Sequence, residues 1–193
     1  MPPIRNYSNW NRRPSDAQDQ IDPYRRYFFI CEGANTETWY FKRLIDLRKE
    51  LDIHPLIDLC LLEKTEEDRN ISYPMQLIDF ANKQKKKIGF HKKWDKMIVV
   101  FDADIFEKKV TNFQEVVALG EKENILAISN PSFELFLLLH FKDAYEKDIL
   151  PNMDAIIKNE KVGNHTFIYH LLWKRTGKNS KKNPEIGELA TQI

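Results

Sequence analysis

The sequence predicts an α/β fold: a four-stranded parallel sheet with helices on both faces, followed by a helical C-terminal extension. Three observations carry this. Short apolar runs rich in branched residues recur at Tyr27–Cys31, Leu56–Leu62, Met97–Phe101 and Asn124–Ser129, as strands buried on both faces require. Segments with helical spacing lie between them, giving β-α-β-α-β-α-β and right-handed crossovers. At 193 residues and 42% hydrophobic composition, the chain can bury one sizeable core.

Residues 1–26 are polar and contain Pro2, Pro3, Pro14 and Pro23, which reads as a flexible arm. Its Arg12, Arg13, Arg25 and Arg26 are either solvated or phosphate contacts. Residues 27–141 form the α/β domain and 142–193 the helical extension. Strand one, Tyr27–Cys31, ends in Glu32-Gly33, where glycine permits the backbone angles of a sharp strand-to-helix exit. The helix Ala34–Asp52 follows, with Trp39, Phe41, Leu44, Ile45, Leu47 and Leu51 as its apolar stripe and Asn35 or Thr36 as its N-cap. Glu37 opposes the helix dipole. Glu32 has no such role, and stands at the C-terminal end of a strand.

After the Leu56–Leu62 strand and a charged loop, Glu63–Ser72, Pro74 opens a helix over Pro74–Lys87. The lysines at 83, 85, 86, 87, 92 and 93 are either solvated near the negative end of the dipole or phosphate contacts. The central stretch is Lys96–Phe106, KMIVVFDADIF. Burying Asp102 and Asp104 unpaired inside a strand is costly, so they belong at its C-terminal end, where open α/β sheets bind ligands. Residues i and i+2 of a strand point to one side, and two carboxylates that close repel unless a cation lies between them. All-oxygen ligation suits Mg²⁺ or Mn²⁺. Alone, D-x-D is equally a polar strand end or a turn opener.

A helix over Thr111–Glu123, capped by Thr111 or Asn112, leads to the fourth strand. Asn130-Pro131 breaks it, and Ser132 caps a helix running to Lys142. Glu134 is either a dipole partner in that helix's first turn or a further acid at the sheet's C-terminal edge. Helices are expected near Met153–Glu160 and His165–Lys174. The basic stretch Lys174–Lys182 contains no acid. With Gly177 and Asn179 it reads as a mobile loop that is either plainly solvated or a phosphate patch in which Lys178, Lys181 and Lys182 make the contacts. The sequence reaches Ile193 still in helical pattern.

The net charge of +1 names no partner. The longest apolar stretch, Leu135–Phe141, is too short to span a bilayer, and the N-terminus lacks the apolar core of a secretory signal. No membrane contact is expected. Cys31 and Cys60 each lie in an apolar run, outside any C-x-x-C pair, which points to core residues in a reducing, cytoplasmic setting. The five histidines lack zinc spacing, and no Gly-rich nucleotide loop follows Glu32-Gly33.

Glu-Gly after strand one, D-x-D after strand three and the alternating topology together resemble the Toprim domain of topoisomerases, primases and OLD-family nucleases. More specifically, Cys31–Phe41 (CEGANTETWYF), Phe101–Asp104 (FDAD), Ser129–Phe141 (SNPSFELFLLLHF) and Gly177–Lys182 (GKNSKK) resemble the RloB/AbiLii family of bacterial restriction and abortive-infection loci, often encoded beside an AAA-type ATPase. The resemblance runs from Tyr27 to the C-terminus. It implies a Rossmann-like Toprim fold and a Mg²⁺-dependent (or Mn²⁺-dependent) phosphodiesterase centre. Glu32 would be general acid/base and metal neighbour, Asp102 and Asp104 metal ligands, and Glu134 the extra acid of the nuclease branch. Phe106 departs from the pattern, since a third polar or acidic residue often stands there.

The expectation is a metal-dependent nuclease of an anti-phage system. Its partners would be nucleic acid, a controlling AAA-type ATPase and a second copy in a homodimer. The alternative is a non-catalytic module of the same fold that binds nucleic acid or the ATPase. A topoisomerase or primase would need domains for which 193 residues leave no room.

Overall fold

The computed structural model describes residues 25–68, 70–103 and 112–192. At its centre is an all-parallel sheet of β1 (Arg25–Cys31), β2 (Ile57–Leu61), β3 (Lys96–Asp102) and β4 (Ile125–Ser129), ordered β2-β1-β3-β4. The fold is the expected α/β, Rossmann-like arrangement.

Successive strand residues serve opposite faces. Phe28, Ile30, Met97, Val99 and Phe101 pack with Leu77, Phe80 and Ala81 of α2 (Pro74–Lys87) and Phe113 of α3 (Phe113–Glu121). Cys31 and Val100 point the other way. They join Tyr40 of α1 (Thr36–Asp46) and Leu47 of the 3-10 turn Leu47–Lys49 that continues it. Leu137 and Leu138 of α4 (Phe133–Leu138) complete this second core.

α1 thus crosses one face on the way to β2, while α2 and α3 cross the other. Strand order reverses between β1 and β3, so their C-terminal ends flank the switch point where such sheets bind ligands.

β1 starts two residues earlier than its apolar run, with Arg25 and Arg26 paired in register with Ile57 and Asp58 of β2, and Arg26 is only partly solvated. It forks onto Asp95, Nε to Oδ1 at 2.9 Å and Nη2 to Oδ2 at 2.5 Å. α2 has the expected bounds, with Pro74 in its first turn. α4 is shorter than expected: the amides of Leu139, His140 and Phe141 bond three residues back, to Phe136, Leu137 and Leu138, which tightens and ends the helix. Tyr40 Oη and His140 Nε2, 2.9 Å apart, then fix that end against α1.

A π-turn (Tyr145–Ile149), a 3-10 turn (Leu150–Asn152) and α5 (Met153–Ile157) follow. The hairpin β5 (Lys161–Val162) and β6 (His165–Thr166) was not anticipated, since two-residue strands carry no readable period. α6 (Phe167–Thr176) begins under Thr166, whose hydroxyl accepts from the Tyr169 amide at 3.3 Å. The chain closes in a 3-10 helix, Pro184–Gln192, laid on α1. Gly187 makes this possible, because a Cβ there would stand 2.6 Å from the Trp39 carbonyl oxygen.

Candidate active site

Three segments distant in sequence meet at the switch point. β1 delivers Glu32, whose amide donates to the Val100 carbonyl at 2.8 Å. One Glu32 carboxylate oxygen accepts from the Asp102 amide at 3.2 Å. Glu32 and Asp102 are therefore neighbours across the β1–β3 seam. Asp104 and Phe106 lie outside the described residues.

Gly33 explains how α1 adds a further acid. It serves space rather than unusual backbone angles: a Cβ at Gly33 would fall 2.2 Å from Oε2 of Glu37. The missing side chain lets the Glu37 carboxylate fold back against the strand exit, and Thr38 Oγ1 secures the turn by donating to the Gly33 carbonyl at 2.9 Å. Glu37 is buried. Burial, aided by the negative charge of Glu134, raises its pKa. A dipole-opposing acid has no need of burial, so that reading of Glu37 is incomplete. No sequence signal singles Glu37 out, because a glutamate in a helix's first turn already has a local reason to be there.

α4 contributes Glu134, 2% exposed. Lys181 lies 2.7 Å from its Oε1, and Ser180 Oγ donates to the same oxygen at 3.2 Å. Burial alone would raise this carboxyl, but the charge and hydrogen bond of Lys181 outweigh it and hold Glu134 below the usual range.

The loop that brings Lys181 is anchored, not loose. Gly177, at φ 67°, ends α6 in the left-handed conformation. Thr36 Oγ1 then donates to the Ser180 carbonyl at 2.8 Å and Asn35 Nδ2 to the Lys181 carbonyl at 2.9 Å. Asn35 and Thr36, expected as caps, tie the start of α1 to the C-terminal loop instead. Of the three lysines read as phosphate contacts, Lys181 enters the acid pocket. Lys178 pairs with Glu185 at 3.1 Å, and Lys182 is exposed on the same loop.

The pocket is short of positive charge. Four carboxylates, Glu32, Glu37, Asp102 and Glu134, face the ammonium groups of Lys181 and Lys64; the latter donates to the main-chain oxygen of Glu32. Asp102 bears the consequence. Burial first, then the charges of Glu37, Glu134 and Glu32, push its pKa up to about 9 against the partial relief of Lys181. Its Oδ1 is buried without a hydrogen-bond partner among the described residues. Such an oxygen normally costs 1–3 kcal/mol or more.

A divalent ion suits this oxygen: the donors are hard carboxylates and the local charge is negative. As the side chains lie, no three His, Cys, Asp or Glu among the described residues are already spaced to hold one. Lys181 is seated on Glu134, and Glu37 is folded against Gly33.

A family model described as "RloB-like protein" matches residues 27–189. No curated protein and no solved structure matches the chain.

Proposed function

The chain belongs to the RloB-like protein family, and from that premise and the acid pocket we propose that it is a metal-dependent nuclease of a bacterial anti-phage system with a Toprim-type centre. The observation that carries this reading is the buried Asp102 oxygen at the switch point, unpartnered among the described residues and crowded by three other carboxylates. A purely structural carboxylate would be paired.

Mg²⁺ or Mn²⁺ would be held by Asp102 and Glu32, with Asp104 following in the chain, and supplies charge neutralisation for phosphate and a more acidic water. Glu32 is the proposed general base, a carboxylate at the pocket's edge able to accept a proton from water. Glu134, kept ionised, holds the Lys181 ammonium in the pocket, where a phosphate oxygen would find it. Glu37 adds negative charge beside Asp102, which draws positive charge to that carboxyl: a proton in the metal-free protein, a divalent ion where one is bound. An AAA-type ATPase is the proposed controlling partner.

The test is cleavage of a panel of DNA and RNA substrates with Mg²⁺ or Mn²⁺, with and without the neighbouring ATPase, comparing wild type and Glu32→Gln. Cleavage by wild type alone supports the proposal; no cleavage under any condition counts against it. A non-catalytic binding module has one observation in its favour, the seating of Lys181 on Glu134 where a ligand would compete. Full phage protection by Asp102→Ala would select that reading.

A further inference from the structure

Lys64 links the acid pocket to a second feature. Its ammonium donates to the Glu32 carbonyl and, at 2.7 Å, to the carbonyl of Ile71. Ile71 lines a groove of about 660 Å³ between the β2–α2 connection and α2. Gln76, Phe80, Lys83 and Lys87 recur at helical spacing along it, so the groove follows α2 for about 16 Å. Its apolar floor is the half-buried Ile71, backed by Phe80, which is only 5% exposed.

The lysines of this helix and of the turn after it divide sharply. Lys85 is buried and donates to the Glu123 carbonyl, and Lys92 pairs with the Glu123 carboxylate at 3.1 Å. Lys83, Lys86 and Lys87 line the groove, are exposed, and make no ion pair among the described residues. Lys83 and Lys87 are like charges one turn apart, an arrangement that repels. Among the described residues two acids stand on the walls; Asp68 already accepts from Thr65 Oγ1 at 2.7 Å, leaving Asp79 against three ammonium groups. An apolar floor under a rim of uncommitted lysines suits a ligand with flat faces and a phosphate backbone.

We propose that this groove holds a single strand of nucleic acid on its way to the acid pocket, with phosphates on Lys83, Lys86 and Lys87 and a base face against Ile71. The inference takes its direction from the nuclease reading. A single strand is specified because paired bases are stacked inside a duplex and cannot reach the floor, whereas an unpaired strand offers both backbone and base faces.

The experiment is fluorescence anisotropy of a labelled single-stranded oligonucleotide with the full chain, in EDTA, between about 50 and 200 mM salt. Lys83→Gln/Lys86→Gln/Lys87→Gln should bind about tenfold or more weakly, with a salt slope reduced by about 2. The matching triple Lys→Arg should bind as wild type. The control Lys49→Gln/Lys122→Gln/Lys158→Gln, equal in charge change, should stay within about twofold, because specific phosphate contacts rather than net charge set the slope.

Wild-type affinity and slope in the Gln triple would overturn the proposal, as would equal loss in the control. A duplex that binds as tightly with the same dependence would overturn the single strand. Displacement by a mononucleotide at equal nucleotide concentration would make the groove a mononucleotide pocket and overturn the strand likewise. The assay contains no free divalent ion. A protein that binds this way but never cleaves refutes the nuclease reading and leaves the groove standing; one that cleaves while its binding ignores the triple does the reverse.

Discussion

Asp95 and Asp102 bracket the same strand and are treated in opposite ways. Asp95, immediately before β3, is 3% exposed and fully engaged: Arg26 forks onto it and the His91 amide donates to it at 2.7 Å. Burial works against its charge, yet the Arg26 and His91 bonds outweigh that and lower its pKa. Asp102, at the strand's other end, has three further carboxylates around it, an oxygen unpartnered among the described residues, and a raised pKa. One end of the sheet is built for stability. The other keeps an unfavourable charge that a ligand can relieve, the trade that functional sites make.

The sharpest way to break this contrast is Asp102→Asn. Metal-dependent cleavage should fall by more than about 100-fold, as expected on losing a principal electrostatic group. The metal-free protein should at the same time gain on the order of 1–3 kcal/mol at pH 8. The sign follows from linkage. A carboxyl whose pKa is raised by folding gives stability that is complete below its unfolded value, near 4, and lost as pH rises toward about 9. Thermal unfolding of the metal-free wild type should therefore show stability declining across that window, and Asp102→Asn should flatten the decline.

Asp95→Asn should do the opposite. With Arg26 only partly exposed, loss of about 2 kcal/mol is expected by chemical denaturation, with cleavage by the folded fraction unchanged. Because folding lowers this pKa, its contribution is present above the unfolded value near 4 and lost as pH falls through the lower folded value. The two variants should thus shift the pH–stability curve at opposite ends.

Gly33→Ala sharpens the account of Glu37. The added methyl collides with the Glu37 carboxylate, the movable end of a side chain, so the fold should survive. Cleavage should fall about tenfold, as for a misplaced site group, and Gly33→Ala should add nothing in a Glu37→Ala background, which a double-mutant cycle measures. The smallest effect belongs to Lys178→Gln. Its pair with Glu185 is solvent-exposed, so unfolding should shift by less than about 0.5 kcal/mol.

The sheet was legible in the sequence because each strand is a short apolar run closed by a polar turn. The Pro74–Lys87 helix was legible because proline marks its start. Glu32 and Asp102 could be placed together since both follow such runs, and parallel strands end on one rim. Glu37 was not legible as a site residue: a glutamate in a first turn has a sufficient local reason to be there, and its burial depends on the space left by Gly33. The pairing of Lys181 with Glu134 spans 47 positions, and no local pattern encodes it. The flexible reading of the basic tail failed because its anchors, Asn35 and Thr36, lie at the far end of the chain.

The most direct test of a cation at the switch point is isothermal titration of Mn²⁺ into the full chain at pH 7 and pH 8.5, wild type against Asp102→Asn. The account predicts saturable binding by wild type with release of a proton at pH 7, tighter at pH 8.5, and loss of that binding in Asp102→Asn. Equal binding by the two proteins, or none by wild type at either pH, would contradict it.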